Sequence, residues 1–189
     1  MRIRFSAERS ALLIIDMQRY FLDRASHAFV PDAVGIVPKI KRLSEIYNKK
    51  ALPVILTRHV NTDKDAGCLS QWWADLIKEK YSMSQIVSEL DGVGDIIIKK
   101  TQYDAFYKTN LEDFLLKKRV KQVVITGVLT HLCCETTARS AFVRGFNVYF
   151  TEDCTATYDI NFHKATLLNL SHGFADIVTF KEITDRIDG

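Results

Sequence analysis

No stretch of this 189-residue chain approaches the ~18 consecutive apolar residues that a membrane span requires. The N-terminal MRIRFSAERS has no long apolar core of a secretory signal. These two absences lead to the expectation of a cytoplasmic protein with no membrane partner. Cysteine is sparse. Cys68, Cys133, Cys134 and Cys154 do not make a disulfide framework in a chain of this size, which suits reduced thiols inside a cell. Neither a C-x-x-C pair nor the H-x-E…P-C-x-x-C pattern of zinc deaminases is present. A surplus of one charge is also missing. The net charge is +3 and the basic residues are scattered, with no basic stripe interleaved with aromatics, so nucleic acid is not expected as a partner. No repeat, low-complexity tract or linker interrupts the chain, which reads as one domain over residues 1–189.

What is present is an ordinary globular composition, 47% hydrophobic and 26% charged, arranged as short apolar runs alternating with amphipathic segments. The runs over 10–16, 52–56, 95–99, 121–127, 146–150 and 176–180 read as strands buried on both faces. Helical spacing fills 32–50, with Asp32 as its cap, then 111–118, the segment from Cys133 to Gly145, and 162–172. Residues 61–81 read as a long loop carrying Trp72 and Trp73, the kind of segment that covers a cleft. The alternation predicts an α/β fold of three layers, α/β/α, around a six-stranded parallel sheet.

In open parallel sheets ligands bind at the carboxyl ends of the strands. This sequence places Asp16, Arg58-His59, Lys100, the loop from Gly127 to Cys133, and Glu152-Asp153 at those ends. A carboxylate, a lysine and a thiol on one edge are a set for acyl chemistry. Asp16 can take the thiol proton and later protonate the leaving group. Cys133 can attack a carbonyl to form a covalent intermediate. Lys100 can hold the developing charge, and a thiol at the start of a helix is expected to favour the thiolate.

The stretch GVLTHLCCETTARSAFVRGF resembles the nucleophile loop of the isochorismatase-like cysteine hydrolases. Ile15-Asp16-Met17-Gln18 resembles the aspartate strand of that family. Lys100 with Tyr103-Asp104-Ala105-Phe106 resembles its K-x-x-Y-S-A-F segment, with aspartate in place of serine. The resemblance implies a Rossmann-like sheet, hydrolysis of a small molecule, and a triad of Asp16, Lys100 and Cys133. It also implies a cis peptide between Val128 and Leu129, with the N–H groups of Leu129 and Cys133 forming an oxyanion hole. Homo-oligomers, dimeric or larger, are implied too. Members that hydrolyse nicotinamide carry a D-x-H metal motif after the second strand. Here that place reads Thr57-Arg58-His59-Val60-Asn61, so no metal and no other cofactor is expected, which weighs against nicotinamide. Isochorismatases proper cleave a vinyl ether and often lack the cysteine. Cys133 therefore points to C–N hydrolysis, with vinyl ether cleavage by Asp16 alone as the alternative.

Cys134 is assigned to helix packing, and Cys68 and Cys154 to structure. Cys134 resolving an oxidised Cys133 would make a redox sensor, and a non-catalytic binding protein on the same fold is a further alternative. His59 is pocket lining or surface, and His131 lies on the substrate side or behind the reacting groups. His163 and His172 are surface or interface residues, and Glu152 and Asp153 cap the next segment. Tyr20, Phe21, Phe106 and one of Trp72 and Trp73 are expected to line an aromatic pocket, which such sites favour.

Overall fold

Ser10–Ile15 is apolar at nearly every position and wholly buried, as a central strand covered on both faces must be. This strand, β1, sits in the middle of a six-stranded sheet that the computed structural model describes over residues 4–188. The domain limits expected from sequence include residues 1–3 and 189, which lie outside the described residues. After β1 come the one-turn α1 (Arg19–Leu22), α2 (Pro31–Lys49), β2 (Val54–His59), the one-turn α3 (Leu69–Trp72) and β3 (Ile96–Lys100). Then follow α4 (Leu111–Lys117), β4 (Gln122–Val128), α5 (Glu135–Val143), β5 (Asn147–Ala156), α6 (Ile160–Gly173), β6 (Ala175–Val178) and α7 (Phe180–Asp188). The spatial order is β3-β2-β1-β4-β5-β6, with every pairing parallel.

Alternation along β1 divides the core. Leu12 and Ile14 pack with residues of α2 and α7, whereas Ala11, Leu13 and Ile15 pack with residues of α4 and α5. The chain leaves β1 toward β2 and β3 on one side and returns to β4 on the other. The carboxyl ends of β1 and β4 thus form the topological switch point, where parallel sheets open a crevice.

Four local expectations are corrected. The third strand is not buried on both faces. β3 is an edge strand, so Ile97 (56% exposed) and Lys99 face water while Ile98 and Lys100 face inward. Asp32 does not cap α2, because Pro31 already occupies the first helical position, where its fixed φ and missing N–H are tolerated. β5 does not stop at Phe150. Its register with β4 jumps from Ile125↔Phe150 to Gly127↔Thr155, and the strand runs on to Ala156. Within that bulge Asp153 accepts from the N–H of Phe180 at 2.6 Å, at the start of α7, and pairs with Lys39 at 2.8 Å. Finally, Cys133 is not the first residue of an α-helix. A π-helical turn, Thr130–Cys134, precedes α5 and carries it.

Candidate active site

Each side chain of the expected triad stands at or after the end of a different strand. Asp16 follows β1 with φ +48°, in a conformation a non-glycine residue adopts only when its surroundings hold it. Thr57 of β2 does part of the holding. Its hydroxyl donates to Asp16 Oδ1 at 2.6 Å and accepts from the Asp16 N–H at 3.0 Å. Lys100 ends β3, and period-two alternation turns it inward while Lys99 turns out. Cys133 arrives on the π-helical turn after β4, a local geometry common at functional sites. The Val128–Leu129 peptide just before that turn is cis.

The Lys100 ammonium is the centre of the cluster. It lies 2.6 Å from Asp16 Oδ2, 3.0 Å from the Gln102 carbonyl, 3.2 Å from His59 Nδ1 and 3.3 Å from Cys133 Sγ. Lys100 and Asp16 are sealed from solvent, and Cys133 is 6% exposed. Burial works against the Lys100 charge, but the Asp16 carboxylate foremost outweighs it and raises the lysine pKa. Burial likewise pushes the Cys133 thiol up to about 12, against a smaller downward pull from Lys100. Burial thus favours the thiol form of the resting sulfur. Against the expected thiolate, the site is dry, and the turn that carries Cys133 is not an α-helix N-terminus.

Above the thiol is a small cavity of about 90 Å³. Of the expected lining residues, Tyr20, Phe21, His59 and Trp73 are there, joined by Asn61, Leu69, Asp75, Ile77, Tyr103, Leu129, Leu132 and Tyr158. The other three are elsewhere. Trp72 is 78% exposed at the end of α3. Phe106 is buried against Phe146 in the core beneath α4 and α5. His131 stacks on Phe162 of α6 and shares a hydrogen bond with Thr157 at 2.8 Å. Two polar latches hold the 61–81 segment over the cavity. Trp73 Nε1 donates to the Tyr103 hydroxyl at 2.7 Å, and the Tyr20 hydroxyl donates to Asp75 at 2.6 Å. A larger groove of about 930 Å³ runs past Val34, Ile97 and Lys99 at the β3 edge, but it includes none of Asp16, Lys100 and Cys133.

Several contributors carry weak sequence signals. Gln18, two residues after Asp16, clamps the end of β2. Its amide donates to the carbonyls of His59 (2.9 Å) and Ser84 (2.8 Å), and its oxygen accepts from the His59 N–H at 2.7 Å. Asn61 accepts from His59 Nε2 at 2.6 Å, and only its i+2 spacing from that histidine hints at the pairing. Asp104, standing where the resembling segment has serine, accepts from the Phe106 N–H at 2.8 Å and from Ser140 Oγ at 2.7 Å, tying this turn to α5.

The sequence profile of the isochorismatase domain matches residues 10–182. The chain belongs to the isochorismatase family. It is 40% identical over 174 residues to Nicotinamidase 3 of Arabidopsis thaliana, covering 89% of this chain and 84% of that protein. It is 28% identical over 162 residues to the isochorismatase of Bacillus subtilis, covering 84% of this chain but spanning only 52% of that relative's length. A cysteine hydrolase from Pseudomonas syringae pv. phaseolicola superposes with a TM-score of 0.94 over 99% of this chain and 96% of its own, at 23% identity, and so shares the fold. This chain is an isochorismatase-family hydrolase on a six-stranded parallel sheet.

Metal-dependent members of the family prompt a test of the donor set. Among the described residues one cluster has ligand-type atoms converging, Asp16, His59 and Cys133 within 4.8 Å of one another. The Lys100 ammonium stands among all three, and the other nitrogen of His59 is engaged by Asn61. A divalent ion would have to share that space with a buried positive charge. The residues do not fit a resident metal.

Proposed function

We propose that this hydrolase cleaves the C–N bond of a small uncharged amide through a Cys133 thioester. The observation that carries the reading is Lys100 bridging Asp16 and Cys133 at the base of an aromatic pocket. Burial pushes the Cys133 thiol up to about 12, and the Asp16 carboxylate beside it takes its proton as sulfur attacks the carbonyl. The oxyanion is received by the N–H groups of Leu129 and Cys133, a contribution of about 3–4 kcal/mol per donor. Protonated Asp16 then gives its proton to the departing amine as the C–N bond breaks, leaving the thioester. A water molecule attacks the thioester with Asp16 again as base. The carboxylic acid leaves, and the proton returns to sulfur.

Substrate charge is read from the lining. Among the described residues no Lys or Arg lines this cavity, and Asp75 adds a carboxylate. Such a pocket repels an anion, which disfavours the vinyl ether alternative because isochorismate is a dicarboxylate. Nicotinamide is uncharged, aromatic and small. The missing metal motif weighs against it, the 40% identity to Nicotinamidase 3 weighs for it, and a mechanism that runs without a metal reconciles the two.

The test is a turnover screen over nicotinamide, other small amides, carbamates and isochorismate, comparing the intact protein with Cys133→Ala. Amide turnover is expected to fall by about 10³-fold or more in the variant. Retention of amide turnover would sink the thioester route. Isochorismate cleavage that survives the substitution would favour the vinyl ether reading instead.

A further inference from the structure

We propose that His59 is a positioning residue for Lys100: its Nδ1 accepts the third ammonium proton whenever the Cys133 sulfur is not an anion, and yields it when the thiolate forms. The inference rests on the cysteine-hydrolase reading above. An ammonium carries three N–H bonds. Around Lys100 Nζ there are four acceptors, Asp16 Oδ2 at 2.6 Å, the Gln102 carbonyl at 3.0 Å, His59 Nδ1 at 3.2 Å and Cys133 Sγ at 3.3 Å. Asp16 Oδ2 is buried with no hydrogen-bond partner of its own and draws one N–H through the ion pair, and the Gln102 carbonyl takes a second, so the third proton is contested between imidazole and sulfur. A thiol or thioester sulfur accepts poorly, whereas a thiolate accepts strongly. The contest therefore has different winners at different stages of turnover, and the buried ammonium is never left with an unmet N–H. Without the imidazole, one N–H would be stranded in the thiol and thioester states.

The imidazole can play this part only if Nδ1 keeps its lone pair, and Asn61 enforces that. The Asn61 amide donates to the Thr101 carbonyl at 2.8 Å, which turns its oxygen to His59 Nε2 at 2.6 Å. An oxygen there requires the proton on Nε2 and leaves Nδ1 free to accept. The charged or titratable groups facing the ring are Lys100, Asp16, Asp65 and Cys133. Burial first, and then the Lys100 charge, lower the His59 pKa to about 4 and keep the ring neutral in the working range.

Two substitutions of similar size separate the acceptor from mere packing. His59→Asn places an amide oxygen where Nδ1 lies, and His59→Leu offers none. The direct readout is alkylation of Cys133 by iodoacetamide at pH 8, followed at that residue by peptide mass spectrometry because Cys68 is exposed. With no imidazole to compete, the third proton goes to sulfur. The Leu variant is expected to alkylate about tenfold faster than the Asn variant, the weight of one charge-assisted hydrogen bond. Equal alkylation rates in folded Leu and Asn variants overturn the proposal. If the Leu variant does not fold, the ¹⁵N resonances of His59 in the intact protein decide. Nδ1 unprotonated and Nε2 protonated at pH 7 is required, and the opposite tautomer overturns it. Neither readout needs a substrate, so failure of the amide reading would be seen separately.

Discussion

At the scale of single residues the site is a problem of burying charge. Asp16 and Lys100 are both removed from water, which is tolerable because they lie 2.6 Å apart and each has further partners. His59 is buried in its neutral form instead, and this makes a prediction about pH. In the unfolded chain its imidazole takes a proton near pH 6.5, whereas in the folded state it does so only near 4. Between those values the unfolded state holds more protons, so stability falls as pH falls, by up to about 3 kcal/mol at pH 4. Above pH 6.5 this contribution is constant. Urea midpoints at pH 7 and pH 4.5 should separate more for the wild type than for His59→Asn. The same separation in both would mean that the buried imidazole is not what titrates.

At the scale of elements the decisive join is where β4 passes β1. Gly127 has φ +109° and pairs with Ile15, directly before Asp16. A β-carbon added there would sit 2.1 Å from the Ile15 carbonyl oxygen, backbone that cannot yield without moving Asp16. Gly127→Ala should cost about 2 kcal/mol or more through strain and overlap. Amide turnover should be lost beyond what the stability change explains. Wild-type thermal stability and activity in that variant would show that the strands can part without harm. The edge position of β3 matters in the same way. It exposes Lys99 and seals Lys100, so neighbouring lysines have unrelated fates.

At the scale of the whole molecule the strand order brings Asp16, Lys100 and Cys133 to one crevice beside the switch point between β1 and β4, with Lys100 reaching in from the far edge. Because the ammonium occupies the centre of the one Asp-His-Cys cluster among the described residues, dialysis against a chelator is expected to leave amide turnover unchanged. Activity lost to the chelator and restored by a divalent ion would contradict that placement of Lys100. No helix among the described residues is long and apolar enough to cross a membrane. The fold was legible because a parallel sheet covered on both faces needs continuous apolar strands, and SALLII and QVVITGV are such strands. The carboxylate, lysine and thiol were legible because they stand at strand ends and in motifs. The pocket was legible only in part. Trp72 and Trp73 are adjacent and equally aromatic, and the latch from Trp73 to Tyr103, a contact 30 residues apart, separates lining from surface. Phe106 belongs to the core for a similar reason, since its neighbour Phe146 is remote in sequence. Local pattern in the chain encodes strand and helix periods, their alternation, and the chemistry at each strand end. Long-range packing settles which of those ends meet, how dry the meeting place is, and which acceptor faces each proton. Burial and hydrogen-bond geometry are properties of the packed assembly, and they moved the Cys133 thiol away from the ionised state that its position in the chain suggested.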